Sequence, residues 1–313
     1  MKRIVFFAIL IVAALTFGCK AKSEETSSAK PLIVTTINPY RLLIKQMVGD
    51  AIEVKSLVPP NASPHTWTAQ PADLMDIQKA ELIVSNGMGL ENFLAQALDA
   101  GSAKQLVAAD LLQDVVALDS LNRVRENLMH SHADSLEHDD LHQAGADPHL
   151  WTSPAMLKKL ATKLKAEMVA IFPDYAPVIN HNYDLIMQEL EDAHQSISAE
   201  RAGFQNPGIV TYHNSFHYFC QDYDINYLGW VQSSPGKEPT ARDLAELGRK
   251  ITEHQVKSIF VEPQQNPKAA EVLSKQYKLQ LLTLDPLGSS MPLDTIAQLI
   301  LANWNVMKTG FGN

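Results

Sequence analysis

The pentapeptide Pro-His-x-Trp-Thr occurs twice, as PHTWT at residues 64–68 and as PHLWT at residues 148–152. A proline before each histidine fixes its own φ, so Pro64 and Pro148 stiffen the backbone that presents His65 and His149. Less entropy is then lost when a metal ion fixes the imidazoles. The spacing points to two halves of one metal site. Chance repetition in a chain with eleven histidines is the plain alternative. Trp67 and Trp151 are read as ordinary packing over these loops.

The elements around the two loops alternate between strand and helix. Apolar runs at 32–37, 52–58, 81–85 and 104–109 read as strands, with helical stretches at 40–50, 71–80 and 91–100. This βαβα order predicts a parallel sheet with helices on both faces. After His149 come helical stretches at 153–172 and 175–201. Ser153 stands as N-cap and Pro154 at the first helical position of the former. The latter is long enough to run across both halves as a strut. The second half repeats the first logic: strands at 208–212, 225–230, 257–262 and 279–284, and helices at 240–254, 267–277 and about 292–307. The fold class is therefore α/β, in two lobes with boundaries near 175 and 202.

Open α/β sheets bind ligands outside the carboxyl ends of their strands. His65 lies in the loop after strand 52–58, His213 directly follows IVTY, Glu262 ends SIFVE, and Asp285 directly follows LLTL. His149 lies in the loop before a helix. Three imidazoles and one carboxylate make a full set for a tetrahedral or near-tetrahedral transition metal. Each histidine taken singly also fits a structural role, as His181, His194, His217 and His254 do on or near helical stretches. A zinc hydrolase with Glu262 as base is a rival reading, but the chain has no His-Glu-x-x-His helix and no serine elbow.

Bulk properties narrow the field. The chain has 313 residues, is 46% hydrophobic and carries a formal charge of −9, which suits two packed domains and excludes nucleic acid as a partner. Residues 1–18 read as a signal peptide: a basic start, a twelve-residue apolar run, and then Cys19 in a lipobox-like setting. Cys19 would carry lipid, and residues 19–30 would form a polar tether. Cys220 would then be alone, leaving no internal disulfide.

The chain resembles the metal-specific substrate-binding proteins of bacterial ABC importers, of the high-affinity zinc uptake type. The matching stretches are NASPHTWTAQPADL, NGMGLENFL, DPHLWTSP, VTYHNSFHYF, GKEPTARDLAEL, FVEPQQNPK and LDPLGSS, in family order over nearly the whole mature chain. The resemblance implies two α/β lobes, 31–174 and 202–313, joined by a long backbone helix at 175–201, with metal between the lobes. It implies His65, His149, His213 and Asp285 as ligands; Glu262, at the end of its strand, is a candidate to support them without binding the metal. Manganese-binding members commonly carry Glu at the third position, so His213 points to Zn2+ over Mn2+ or iron. Residues 126–142, with His130, His132, His138 and His142, correspond to the auxiliary metal loop of the zinc branch. The implied partners are an ABC permease and, through the anchor, a membrane. The implied form is an exported monomer, periplasmic or on the cell surface. Some anchored relatives act as adhesins, which stays a second reading.

Overall fold

Ile33 and Val34 are neighbours in the first strand, yet they enter different apolar cores. That alternation organises the protein. The computed structural model describes residues 30–59, 61–91, 94, 97–98, 102–114, 147–232, 238–290 and 292–312. Strands β1 (Leu32–Thr35), β2 (Glu53–Ser56), β3 (Leu82–Ser85) and β4 (Lys104–Val107) form a parallel sheet in the order β2-β1-β3-β4. Strands β5 (Gly208–Thr211), β6 (Asn226–Trp230), β7 (Ser258–Val261) and β8 (Gln280–Thr283) form a second one in the order β6-β5-β7-β8. The sequence readings at these eight places hold, each strand being shorter than its apolar run.

Successive strand side chains point to opposite faces, so one face of each sheet turns inward and one outward. Ile33, Leu82 and Val84 of the first sheet and Ile209 and Phe260 of the second enter one shared core. Val34 and Ile83 enter a smaller outer core, and Val210, Ile259 and Val261 enter another. The two lobes are thus joined by continuous buried apolar surface.

Helices complete the join. They are α1 (Asn38–Val48), α2 (Pro71–Lys79), α3 (Ala108–Leu111), α4 (Pro154–Ile171), α5 (Ala176–Arg201), α6 (His217–Asp222), α7 (Ala241–Glu253), α8 (Lys268–Tyr277) and α9 (Ile296–Gly310). Helix α5 has 26 residues and is about 39 Å long at 1.5 Å per residue. Its buried residues, Ile179, Ile186, Leu190, Ala193 and Ile197, recur at helical spacing. It packs against α1 and α4 from the first half and α9 from the second. Among the described residues no helix is long and apolar enough to cross a membrane.

Hydrogen bonds stitch the lobes directly. Asn38 Nδ2 donates to the Leu287 carbonyl at 2.8 Å, and the Ile296 amide donates to Gln46 Oε1 at 2.8 Å. Asp222, at the end of α6, accepts from Ser153 Oγ at 2.6 Å and from the Ala155 amide at 3.1 Å. It therefore places a carboxylate at the N-terminus of α4, where exposed amides favour negative charge.

Several boundaries differ from expectation: α1 starts at Asn38 and not at residue 40, residues 108–109, read as strand, open α3, and the last helix is shifted. The last helix starts at Ile296 rather than near Pro292 and runs on to Gly310. A capping box sets the start: Thr295 Oγ1 accepts from the Gln298 amide at 3.2 Å, and Gln298 Oε1 accepts from the Thr295 amide at 3.3 Å. That reciprocal pair outweighs a proline four residues upstream. The helix expected at 91–100 lies partly outside the described residues.

Truncating the buried stripe of α5 tests the join. Leu190→Ala should cost about 2–5 kcal/mol of unfolding free energy. Leu185→Ala, on the exposed side of the same helix at 52% exposure, should stay within about 0.5 kcal/mol. Denaturant melts of the two variants would measure the difference, and equal losses would contradict this packing.

Candidate metal centre

His65, His149 and His213 offer ring nitrogens that all lie within 4.8 Å of one another. Their ring centroids are 5.4, 4.9 and 4.8 Å apart pairwise. His65 Nε2 and His149 Nε2 face each other at 3.3 Å. His149 and His213 are buried and His65 is half-buried. Among the described residues this is the one group of three or more potential metal-binding side chains with such spacing.

Each imidazole is held by its own local structure. His65 sits in a turn after β2, where the Thr66 and Trp67 amides donate to the Ser63 carbonyl at 3.2 and 3.0 Å. His149 precedes the short 3₁₀ turn Leu150–Thr152. Thr152 Oγ1 donates back to the His149 carbonyl at 2.9 Å, and Trp151 Nε1 donates across the lobes to the Pro286 carbonyl at 2.9 Å. So Trp151, expected only to pack, also ties the two lobes together beside the cluster. His213 lies two residues past β5, and Tyr227 Oη donates to its carbonyl at 3.3 Å.

A carboxylate stands behind two of the rings. His149 Nδ1 lies 2.6 Å from Asp147 Oδ1, which also accepts from the His149 amide at 3.0 Å. His213 Nδ1 lies 3.2 Å from Glu262 Oε1, which accepts from Ser215 Oγ at 2.5 Å. An Nδ1–H bonded to a carboxylate fixes the tautomer and leaves Nε2 as the free lone pair. Asp147 was missed in the sequence reading. Its signal was there, an acid two residues before the histidine in DPHLW.

Asp285 is placed differently from the three histidines. Its Oδ1 accepts from the Leu287 amide at 3.2 Å. Its Oδ2 accepts from Ser289 Oγ at 2.9 Å, the Ser290 amide at 2.7 Å and Ser290 Oγ at 2.5 Å. Gly288, at φ +67°, makes the turn that brings these donors back. The carboxylate organises its own loop, and it is not part of the three-residue group. Cys19 and the four loop histidines, His130, His132, His138 and His142, lie outside the described residues.

The electrostatics separate the rings. Burial, with the neighbouring His149 and His213, pulls His65 down to about 2. Burial also pulls His213 down, but the charge and hydrogen bond of Glu262 more than reverse this and leave it above its ordinary value. The cluster therefore offers a neutral imidazole at His65 and a carboxylate-backed one at His213.

The family model "ZnuA: Zinc-uptake complex component A periplasmic" matches residues 33–310. The chain belongs to this family. It is 26% identical over 273 residues to the high-affinity zinc uptake system protein ZnuA of Yersinia pestis, covering 85% of this chain and 86% of that protein. A crystal structure of ZnuA matches with a TM-score of 0.72 and 24% identity, over 89% of this chain and 98% of the other. The periplasmic zinc-binding protein TroA of Treponema pallidum matches with a TM-score of 0.74 and 20% identity, over 91% and 100%. The two-lobed α/β fold expected from the sequence is the fold of these structures.

Metal-free protein should show the opposed shifts as a pH profile. His213 takes up its proton more readily folded than unfolded. Its contribution is fully present below about pH 6.5, the ordinary histidine value, and is lost as pH rises through its higher folded value. His65 resists its proton when folded, so below about pH 6.5 stability falls, by at most about 1.4 kcal/mol per pH unit. Chelator-treated protein should therefore be most stable near the ordinary histidine value. His65→Gln should flatten the acid side in denaturant melts from pH 4.5 to 8. An unchanged acid slope in that variant would contradict the burial argument for His65.

Proposed function

We propose that the chain is an extracytoplasmic zinc-binding protein that captures the ion between its lobes and delivers it to an ABC importer. The observation that carries this reading is the cluster of three imidazoles, two from the first lobe and one from the second. Imidazole donors suit zinc, whereas manganese prefers oxygen ligands. His65, His149 and His213 are the proposed ligands. Asp147 and Glu262 orient two of them. Asp285, or a water in its place, is the proposed fourth donor: its carboxylate stands outside the three-nitrogen group and holds its own loop, and Oδ1, with one accepted bond, keeps a lone pair for a metal. A hydrolase reading is weakened because Glu262, the one candidate base, is engaged by Ser215 and His213.

The leader and anchor complete the reading. Residues 1–18 would direct export, Cys19 would carry the lipid, and the tether would leave the lobes free to meet the permease. The His-rich stretch at 126–142, with four histidines among acidic residues, would serve as a weaker, auxiliary zinc site.

Protein purified without added metal should carry close to one zinc per chain by elemental analysis. His149→Ala should weaken zinc binding well beyond the roughly 10–100-fold expected for Asp147→Asn, measured by competition with a chelator. Free zinc at a thousand times its dissociation constant should add about 4 kcal/mol of stability. Manganese should add much less, and the zinc gain should shrink as protons compete for the imidazoles. Equal gains from the two metals would overturn the three-imidazole site.

Deleting residues 126–142 should remove weak extra stoichiometry in calorimetry and leave one tight site. Loss of the tight site would overturn the auxiliary role.

A further inference from the structure

Two adjoining cavities of very different size lie at the cluster. The inner one, between the imidazoles, Trp151 and Glu262, has a volume of about 10 Å³. The outer one has a volume of about 210 Å³. Ser63 and Gln264 line both. The outer cavity is walled by Thr66 from the first lobe and by Gln265, Asn266 and Glu238 from the second, so its lining is rich in amide, hydroxyl and carboxylate oxygens. Tyr212 also lines it, and burial together with the charge of Glu238 pushes that phenol up.

A divalent ion with six waters needs about 180 Å³ at roughly 30 Å³ per water. It fits the outer cavity and is far too large for the inner one. Oxygen acceptors can hydrogen-bond to the coordinated water molecules without displacing them, and Glu238 supplies a favourable charge. We propose that the outer cavity is an antechamber, in which the hydrated cation is held by its water shell before it sheds water past Ser63 and Gln264 to reach the imidazoles. This rests on the zinc-capture reading. Glu238 is here a positioning residue on the route and not a ligand of the final site.

A group that acts on the route changes loading and release together, because both pass the same barrier. Rapid-mixing measurements with zinc chloride on the full metal-free chain, and chelator-driven release from the loaded chain, give both rates. Glu238→Gln should slow association about fivefold at low salt, the scale for one charge acting on a divalent ion several ångströms away in water. Release should slow in step, so affinity moves by less than twofold. The effect on loading should fade at 1 M salt, where the screening length falls to about 3 Å. Asn266→Trp, which fills the chamber, should slow both rates further. Asp174→Asn, the same charge change away from the chamber, should leave both rates as they are.

Unchanged rates in both chamber variants would overturn the proposal. Weaker affinity through faster release in Glu238→Gln would also overturn it, since Glu238 would then be a ligand. A parent chain that takes up no zinc would instead sink the zinc reading itself.

Discussion

Three imidazoles within 4.8 Å of one another cannot all carry protons in a largely buried setting. Each added charge would be desolvated and would repel its neighbours. His65 shows the constraint most plainly, held down to about 2 by burial and by the two other rings. The same geometry that keeps His65 neutral suits one shared cation, because three ring nitrogens then converge on it. The carboxylates follow from this. Asp147 and Glu262 lie behind His149 and His213, on the Nδ1 edges, where they orient the rings and balance charge without entering the three-nitrogen group.

The constraint also explains why the lobes are so firmly joined. The nitrogens come from both halves of the chain, so their separation depends on how the halves sit together. One continuous core runs from Ile33 and Val84 through α5 to Phe260 and Trp304. Hydrogen bonds then set the local alignment. Tyr218 of the second lobe donates to the Asp147 carbonyl at 3.1 Å, so the residue that orients His149 is itself anchored across the lobe boundary. The two sheets have the same strand order, and ligands favour the point where that order reverses. In the second sheet this point carries His213 after β5 and Glu262 after β7. In the first it is filled from within: Glu91 accepts from Thr36 Oγ1 at 2.8 Å and from the Asn86 and Gly87 amides at 2.7 and 2.9 Å. An internal carboxylate occupies that point in the first sheet, so the first lobe contributes its histidines to the cluster from loops.

The strands were readable because buried parallel strands are short apolar runs, and LIVT, LIVS and SIFV allow little else. The long helix was readable from its periodicity. His65, His149 and His213 stood out by position, after strands or in the repeated loop motif. Less could be read where a polar residue can serve either a ligand or its own backbone. Asp285 follows a strand as a ligand would, yet its carboxylate closes a tight turn through Ser289 and Ser290. That turn depends on Gly288 and the two hydroxyls acting together. Asp147 was hidden for the converse reason: in the sequence it follows no apolar strand run, and its role exists only once His149 turns back toward it.

The repeated pentapeptide is put to two different uses. Its two copies share the Pro-His pair, which presents an imidazole from a stiffened backbone. They differ in how the Trp-Thr pair is braced. In the second copy Thr152 Oγ1 closes onto the His149 carbonyl, and the Trp151 indole reaches the Pro286 carbonyl, next to Asp285. In the first copy Trp67 is half-buried against the shared core and the first lobe's outer core, and the Thr68 carbonyl accepts from Gln70 Nε2 at 3.2 Å at the approach to α2. The second copy is thus tied to the opposite lobe by a side-chain hydrogen bond. His149 is accordingly buried and bound to Asp147, whereas His65 is half-buried and borders the outer chamber through its neighbours Ser63 and Thr66. A site that must both hold an ion and admit one needs this inequality. One histidine is set with the lobe junction, and the other stands at the side from which the ion arrives.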